Sequence, residues 1–205
     1  MNIGRIPAKT ARLDPAREAL IDVPNDRRIC YGELDQRIRR LANGLCNTLQ
    51  LQRGARVAIL SRNCIEYMEI FYACARCGLI AQPLNWRLGT EELARIIEDG
   101  EPSTIVCSAE YIDTGEELKT SVSIPQWPYF GAGSDDSYEN LLASNDDSEP
   151  EVADSVGGDD PVLILYTTDQ VDVSGLGTYN ARSHGIIKIK RVSYCQYPFA
   201  YLHGI

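Results

Sequence analysis

The chain has 205 residues, 44% of them hydrophobic, and a net charge of −9, which suits one globular domain with a buried core, or two small ones. No apolar run approaches the ~20 residues that span a bilayer, the opening Met1-Asn2-Ile3-Gly4-Arg5-Ile6-Pro7 lacks the apolar core of a secretory signal, and no basic stripe marks a nucleic-acid binder. Seven cysteines, an odd number scattered along the chain, read as the reduced thiols of a cytoplasmic protein.

In chain order, Leu34, Ile38, Leu41, Leu45 and Leu49 recur at helical spacing, which predicts a helix with one apolar stripe and places Arg37, Arg39, Arg40 and Asn43 on its solvated side. Gly54 interrupts the pattern, and Val57-Ala58-Ile59-Leu60 reads as a short buried strand. Asn63 with Glu66 resembles a capping box ahead of a helix carrying Ile65, Met68, Phe71, Tyr72 and Ala75, which Gly78 ends. Leu79-Ile80-Ala81 is a second strand, stopped by Pro83. Thr90 is the expected cap of the next helix, with Glu91 and Glu92 against its amino-terminal dipole and Leu93, Ile96 and Ile97 on its buried face. Asp99-Gly100 closes it, and Thr104-Ile105-Val106-Cys107 is a third strand. Alternating strands and helices joined by short connections predict an α/β fold: a partial, mostly parallel sheet with helices on its faces.

Charge is uneven. Residues 1–133 hold 16 basic and 17 acidic side chains, whereas residues 134–160 hold ten acids and no base. Composition therefore marks 130–160 as an exposed acidic linker. It leads into Asp159-Asp160-Pro161 and the continuous apolar run Val162-Leu163-Ile164-Leu165, a predicted buried strand ending in Tyr166-Thr167-Thr168.

These motifs resemble the amino-terminal region of the adenylate-forming superfamily, the AMP-dependent synthetases and ligases that include acyl-CoA and aryl-CoA ligases. The resemblance rests on Tyr31-Gly32-Glu33-Leu34, Arg56-Val57-Ala58-Ile59-Leu60, Asn63 with Glu66, Ala81-Gln82-Pro83-Leu84-Asn85-Trp86-Arg87-Leu88 and Glu91-Glu92-Leu93, and it covers residues 1–168. It implies the amino-terminal fold of an acyl-CoA synthetase. The family activates a fatty or aromatic carboxylic acid with ATP and magnesium to an acyl-adenylate, then transfers the acyl group to coenzyme A. Tyr166, Thr167 and Thr168 match the start of the family's phosphate loop, a Ser/Thr/Gly-rich turn closed by a lysine. Here the chain continues Asp169-Gln170-Val171-Asp172-Val173, with carboxylates where a phosphate would sit.

Residues 169–205 match no family pattern, and the loss of resemblance inside a motif points to an altered reading frame. The expectation is a ligase-like chain that is inactive alone, holds no catalytic or metal-binding residue of its own and binds none of ATP, magnesium or coenzyme A. The alternative is an interaction or regulatory subunit that pairs with a ligase homologue or a complementary fragment. Cys74-Ala75-Arg76-Cys77 has redox spacing, but it closes the carboxyl end of a helix, where the dipole opposes thiolate formation, so both cysteines read as structural. His184 and His203, the two histidines, flank Cys195 too sparsely for a zinc site.

Overall fold

A computed structural model describes residues 2–131 and 136–166. A 3₁₀ turn (Ile3–Arg5), capped by the Asn2 side chain, leads into α1 (Ile6–Leu13). Strands β1 (Glu18–Asp22) and β2 (Arg27–Cys30) pair as an antiparallel hairpin, and α2 (Tyr31–Asn43) continues into a π-helical turn at Gly44–Thr48. The α/β region follows as β3 (Arg56–Leu60), α3 (Ile65–Cys77), β4 (Ile80–Pro83), α4 (Thr90–Gly100), β5 (Thr104–Ser108), α5 (Ile112–Lys119) and β6 (Tyr129–Phe130). A further helix, α6 (Ser137–Ala143), lies near the start of the acidic segment.

Strands β4, β3, β5 and β6 lie side by side in that order, all parallel. Successive β3 side chains point to opposite faces. Val57 and Ile59 join one core with α2, α3 and α6, through Leu34, Ile38, Leu41, Ile70, Ala73 and Tyr138. Ala58 and Leu60 join a second core with α4 and α5, through Leu93, Ile97, Leu118 and Val122. The predicted sheet with helices on both faces is thus the observed fold.

Three details differ from the sequence reading. The residue capping α3 is Cys64, whose extended backbone lets its sulfur accept from the Tyr67 amide at 3.4 Å, while Glu66 is drawn to Arg27 at 2.6 Å. Gly89 occupies the capping position of α4, and its amide donates to Glu92 at 3.2 Å; the Thr90 hydroxyl instead donates to Glu117 at 2.8 Å. The run 162–166 makes one parallel bridge rather than a full strand. The Ala81 amide donates to the Val162 carbonyl at 3.1 Å and the Ile164 amide to the Ala81 carbonyl at 2.9 Å, so the run sits on the free edge of β4.

The acidic segment departs furthest from expectation. Within the described part of 130–160, Tyr138, Leu141, Leu142, Ala153 and Val156 are buried, and several of the acids pair with side chains of earlier elements. Arg37 bridges Glu69 and Glu139, and Arg5 holds Glu149 and Asp154, each at 2.7 Å. Asp147 accepts from Gln36 at 2.8 Å, and Asp160 accepts from Arg53 at 2.6 Å. Asn43, expected on a wet face, is buried and donates to the Asp146 and Ser148 carbonyls. The segment is a strap laid across α2 and the amino terminus. Its few apolar anchors are diluted among charges, so composition conceals them.

Candidate functional site

In an open parallel sheet, ligands sit outside the carboxyl ends of the strands, where the connecting loops converge. Here that edge is formed by the residues following β3, β4 and β5. After β4, the Leu84 amide extends the ladder to the Ile59 carbonyl at 2.9 Å. The Asn85 side chain then accepts from the Arg87 amide at 3.1 Å, and its carbonyl accepts from Leu88 at 3.0 Å. This Asx-type turn sets Trp86 between two cations. The guanidinium carbon of Arg87 lies 4.2 Å from the indole centroid, and that of Arg62, from the loop after β3, lies 4.6 Å away.

Two guanidiniums on one indole gain cation–π attraction but repel each other, and the loop after β5 relieves the repulsion. Glu110 sits 3.0 Å from the Arg62 guanidinium, and the Tyr111 hydroxyl accepts from Arg62 Nε at 3.1 Å. Together these partners raise the Arg62 pKa, the Tyr111 hydrogen bond most of all. The Tyr111 ring lies 6.2 Å from that of Trp86. The arrangement presents positive charge and a planar apolar surface, the chemistry that receives an anionic or aromatic group. Among the described residues, no three His, Cys, Asp or Glu side chains come together as metal ligands.

The sequence-derived candidates sit elsewhere. Tyr166 ends the run that borders β4, and its hydroxyl donates to Asp99 Oδ2 at 2.7 Å. Burial, reinforced by the Asp99 hydrogen bond and charge, pushes the phenol pKa well up. Asp99 lies in the last turn of α4, which returns the chain to the amino end of β5, so the phenol is turned back along the sheet. Thr167 and Thr168 lie outside the described residues, as do His184, His203 and Cys195. Cys74 and Cys77 are sealed in the core. Sequence reasoning passed over the Arg62–Trp86–Arg87 group. Its signal was positional: an arginine two residues after one parallel strand and an Asn-Trp-Arg turn after the next.

The model of the family described as AMP-binding enzyme matches residues 8–168. The chain belongs to that family. Among its relatives, the long-chain-fatty-acid–CoA ligase FadD13 of Mycobacterium tuberculosis (strain ATCC 25618 / H37Rv) is 29% identical over 167 residues, covering 82% of this chain and 32% of that protein. Feruloyl-CoA synthase of Amycolatopsis sp is 32% identical over 168 residues, 81% of this chain and 30% of that protein. The solved N-terminal domain of FACL13 from Mycobacterium tuberculosis superposes with a TM-score of 0.74 at 27% identity, covering 82% of this chain and 42% of that one. This AMP-binding family chain spans about a third of the length of the curated relatives it matches. Among its described residues, no helix is long and apolar enough to cross a membrane.

Proposed function

We propose that residues 1–168 are the amino-terminal portion of an acid–CoA ligase, one that activates a fatty or aromatic carboxylic acid through its adenylate, and that the 205-residue chain does not carry out adenylation unaided. The observation that supports this reading is where the family match ends. It covers residues 8–168, after which the chain reads Asp169-Gln170-Val171-Asp172 where the proposed reading places the phosphate loop. Adenylation develops charge on the pyrophosphate leaving group, which needs preorganised amides or cations around it. ATP with magnesium does not fit the donors at hand: Tyr166 gives its hydroxyl to Asp99, and two carboxylates follow in the sequence where a phosphate would sit. Tyr166, Thr167 and Thr168 are then a remnant of the loop, and no step is assigned to them. The Arg62–Trp86–Arg87 group presents positive charge and an aromatic face at the carboxyl edge of the sheet. The free thiols among the described residues suit a cytoplasmic setting. ATP–pyrophosphate exchange with a panel of fatty and aromatic acids tests the reading. The expected result is no turnover above a buffer control, and clear turnover overturns it.

A further inference from the structure

The sheet treats its two edges differently. At the β6 edge, side chains take the place of a neighbouring strand. The Tyr129 amide donates to Ser137 Oγ at 2.7 Å, the same hydroxyl donates back to the Tyr129 carbonyl at 3.5 Å, and the Gly131 amide donates to Asp136 Oδ2 at 2.8 Å. An edge whose polar groups are already satisfied does not template another strand. At the opposite edge the run 162–166 lies on β4 but is itself uncovered. Ala81 gives its amide to the Val162 carbonyl and accepts from the Ile164 amide. By the alternation of a strand, the amide and carbonyl of Leu163 and the amide of Leu165 then point away from β4. Among the described residues, these groups have no hydrogen-bond partner. The run is nonetheless anchored: Val162 is buried, Leu163 packs on the first core, and Tyr166 donates to Asp99.

Val162-Leu163-Ile164-Leu165-Tyr166 holds neither a charge nor a proline, the devices that keep an open edge from pairing. The family match ends at residue 168, so no further element of the matched fold follows to cover it. The run is also complementary to itself. A two-fold axis at Ile164 sets Leu163 opposite Leu165 of a second copy, and these are the residues whose backbone groups point outward. Each such pair exchanges both backbone hydrogen bonds. Val162 meets Tyr166 of the second copy, and no like charges are opposed. The nearest acid, Asp160, falls outside the pairing and is held by Arg53. We propose that two copies of this chain pair antiparallel through residues 162–166, joining their sheets into one. Because the β6 edges are capped, the assembly closes as a dimer and does not propagate.

The test is sedimentation of the full 205-residue chain across micromolar concentrations, with hydrogen exchange read at the amides of Leu163 and Leu165. A monomer–dimer equilibrium is expected, and both amides become protected as the dimer fills. Leu165→Pro removes an outward amide that β4 does not use. It should weaken dimerisation about tenfold or more, since the two-fold repeats the loss, with far-UV circular dichroism unchanged. Ile164→Cys places identical residues opposite each other in a non-hydrogen-bonded pair, with Cα atoms about 4.5 Å apart and within reach of a disulfide. Mild oxidation should therefore link this variant to its own copy through position 164. A chain that stays monomeric, growth beyond the dimer, or a dimer indifferent to Leu165→Pro would each overturn the proposal. So would protection of Leu163 and Leu165 that does not change with concentration, the result expected if later residues of the same chain cover the edge. Where Leu165→Pro fails to fold, the wild-type exchange and the Ile164→Cys link decide.

Discussion

Glu69 has no exposed side-chain surface, yet it carries a carboxylate between the guanidinium of Arg37 and the phenol of Tyr138, which donates to it at 2.7 Å. Burial pushes its pKa above the ordinary 4.5, and the Arg37 hydrogen bond and charge pull it back. Deleting Arg37 strands a charge that water cannot reach, and breaking a buried pair from one side costs about 3–5 kcal/mol. Arg37→Ala is expected to lose stability of that order at pH 7, read from urea unfolding midpoints. A loss under about 1 kcal/mol would show that solvent already reaches the carboxylate. The sign of the pH effect follows from the raised pKa. Glu69 favours folding most when protonated, below its unfolded value, and that contribution is lost as pH rises through the folded one. The Arg37→Ala penalty should therefore shrink as pH falls toward 4.5. Gly4 poses a steric constraint of a different kind. A Cβ there would lie 2.2 Å from the Arg76 amide nitrogen and 2.4 Å from its Cα, and backbone cannot swing aside. Gly4→Ala is expected to cost about 1–3 kcal/mol and to release residues 2–5, seen as faster hydrogen exchange at their amides with little change in the sheet.

At the scale of elements, the strap 137–160 is the part whose stability depends most on charge. Asp160 is held below its ordinary 3.8 by the Arg53 hydrogen bond and then by the Gly157 amide, Asp147 by Gln36, and Asp146 by Ser148. Depressed carboxylate pKa values contribute stability above the unfolded value and lose it as pH falls through the folded one. The strap should hold steady from pH 7 to about 4 and loosen below 3.8, with exchange at amides 137–160, corrected for intrinsic rates, rising before that of β3 and β5. Equal and simultaneous loss across strap and sheet would show that the strap has no independent opening. Buried Arg76 pairs with Asp35 and reaches the exposed Glu149 at 3.5 Å, tying this strap to α2 and α3, so the release should begin at 157–160, where Arg53 is half exposed, rather than at α6.

For the whole molecule, the proposed reading makes a prediction about affinity for nucleotide. A triphosphate is normally offset by several amides and a lysine; on the proposed reading the sequence has Asp169 and Asp172 in that stretch instead, and like charge costs binding energy at short range. No specific ATP binding is expected at physiological salt, with or without magnesium, by isothermal titration calorimetry. Saturable one-to-one binding in the micromolar range would mean that residues after 166 rebuild a site, or that the Arg62–Trp86–Arg87 edge suffices. Comparing the wild type with Arg62→Ala/Arg87→Ala separates those two outcomes, since only the second loses binding in the double variant.

The sheet and its helices were legible because each element carries its own period. The Leu34-Ile38-Leu41-Leu45 stripe and the Val57–Leu60 run marked helix and strand by their hydrophobic spacing, and the alternation of such elements with short connections marked a parallel sheet. Caps were legible only in kind: Cys64 and Gly89 took the positions expected of Asn63 and Thr90 because Arg27 and Glu117 drew neighbouring side chains away. Charge pairing across the fold could not be read at all. Ten acids without a base look solvated until Arg5, Arg37 and Arg53, each more than 100 residues away in sequence, are folded against them. Local spacing determines which face of an element is buried. Which distant charge meets it there is decided by packing, whose contacts leave no period in the sequence.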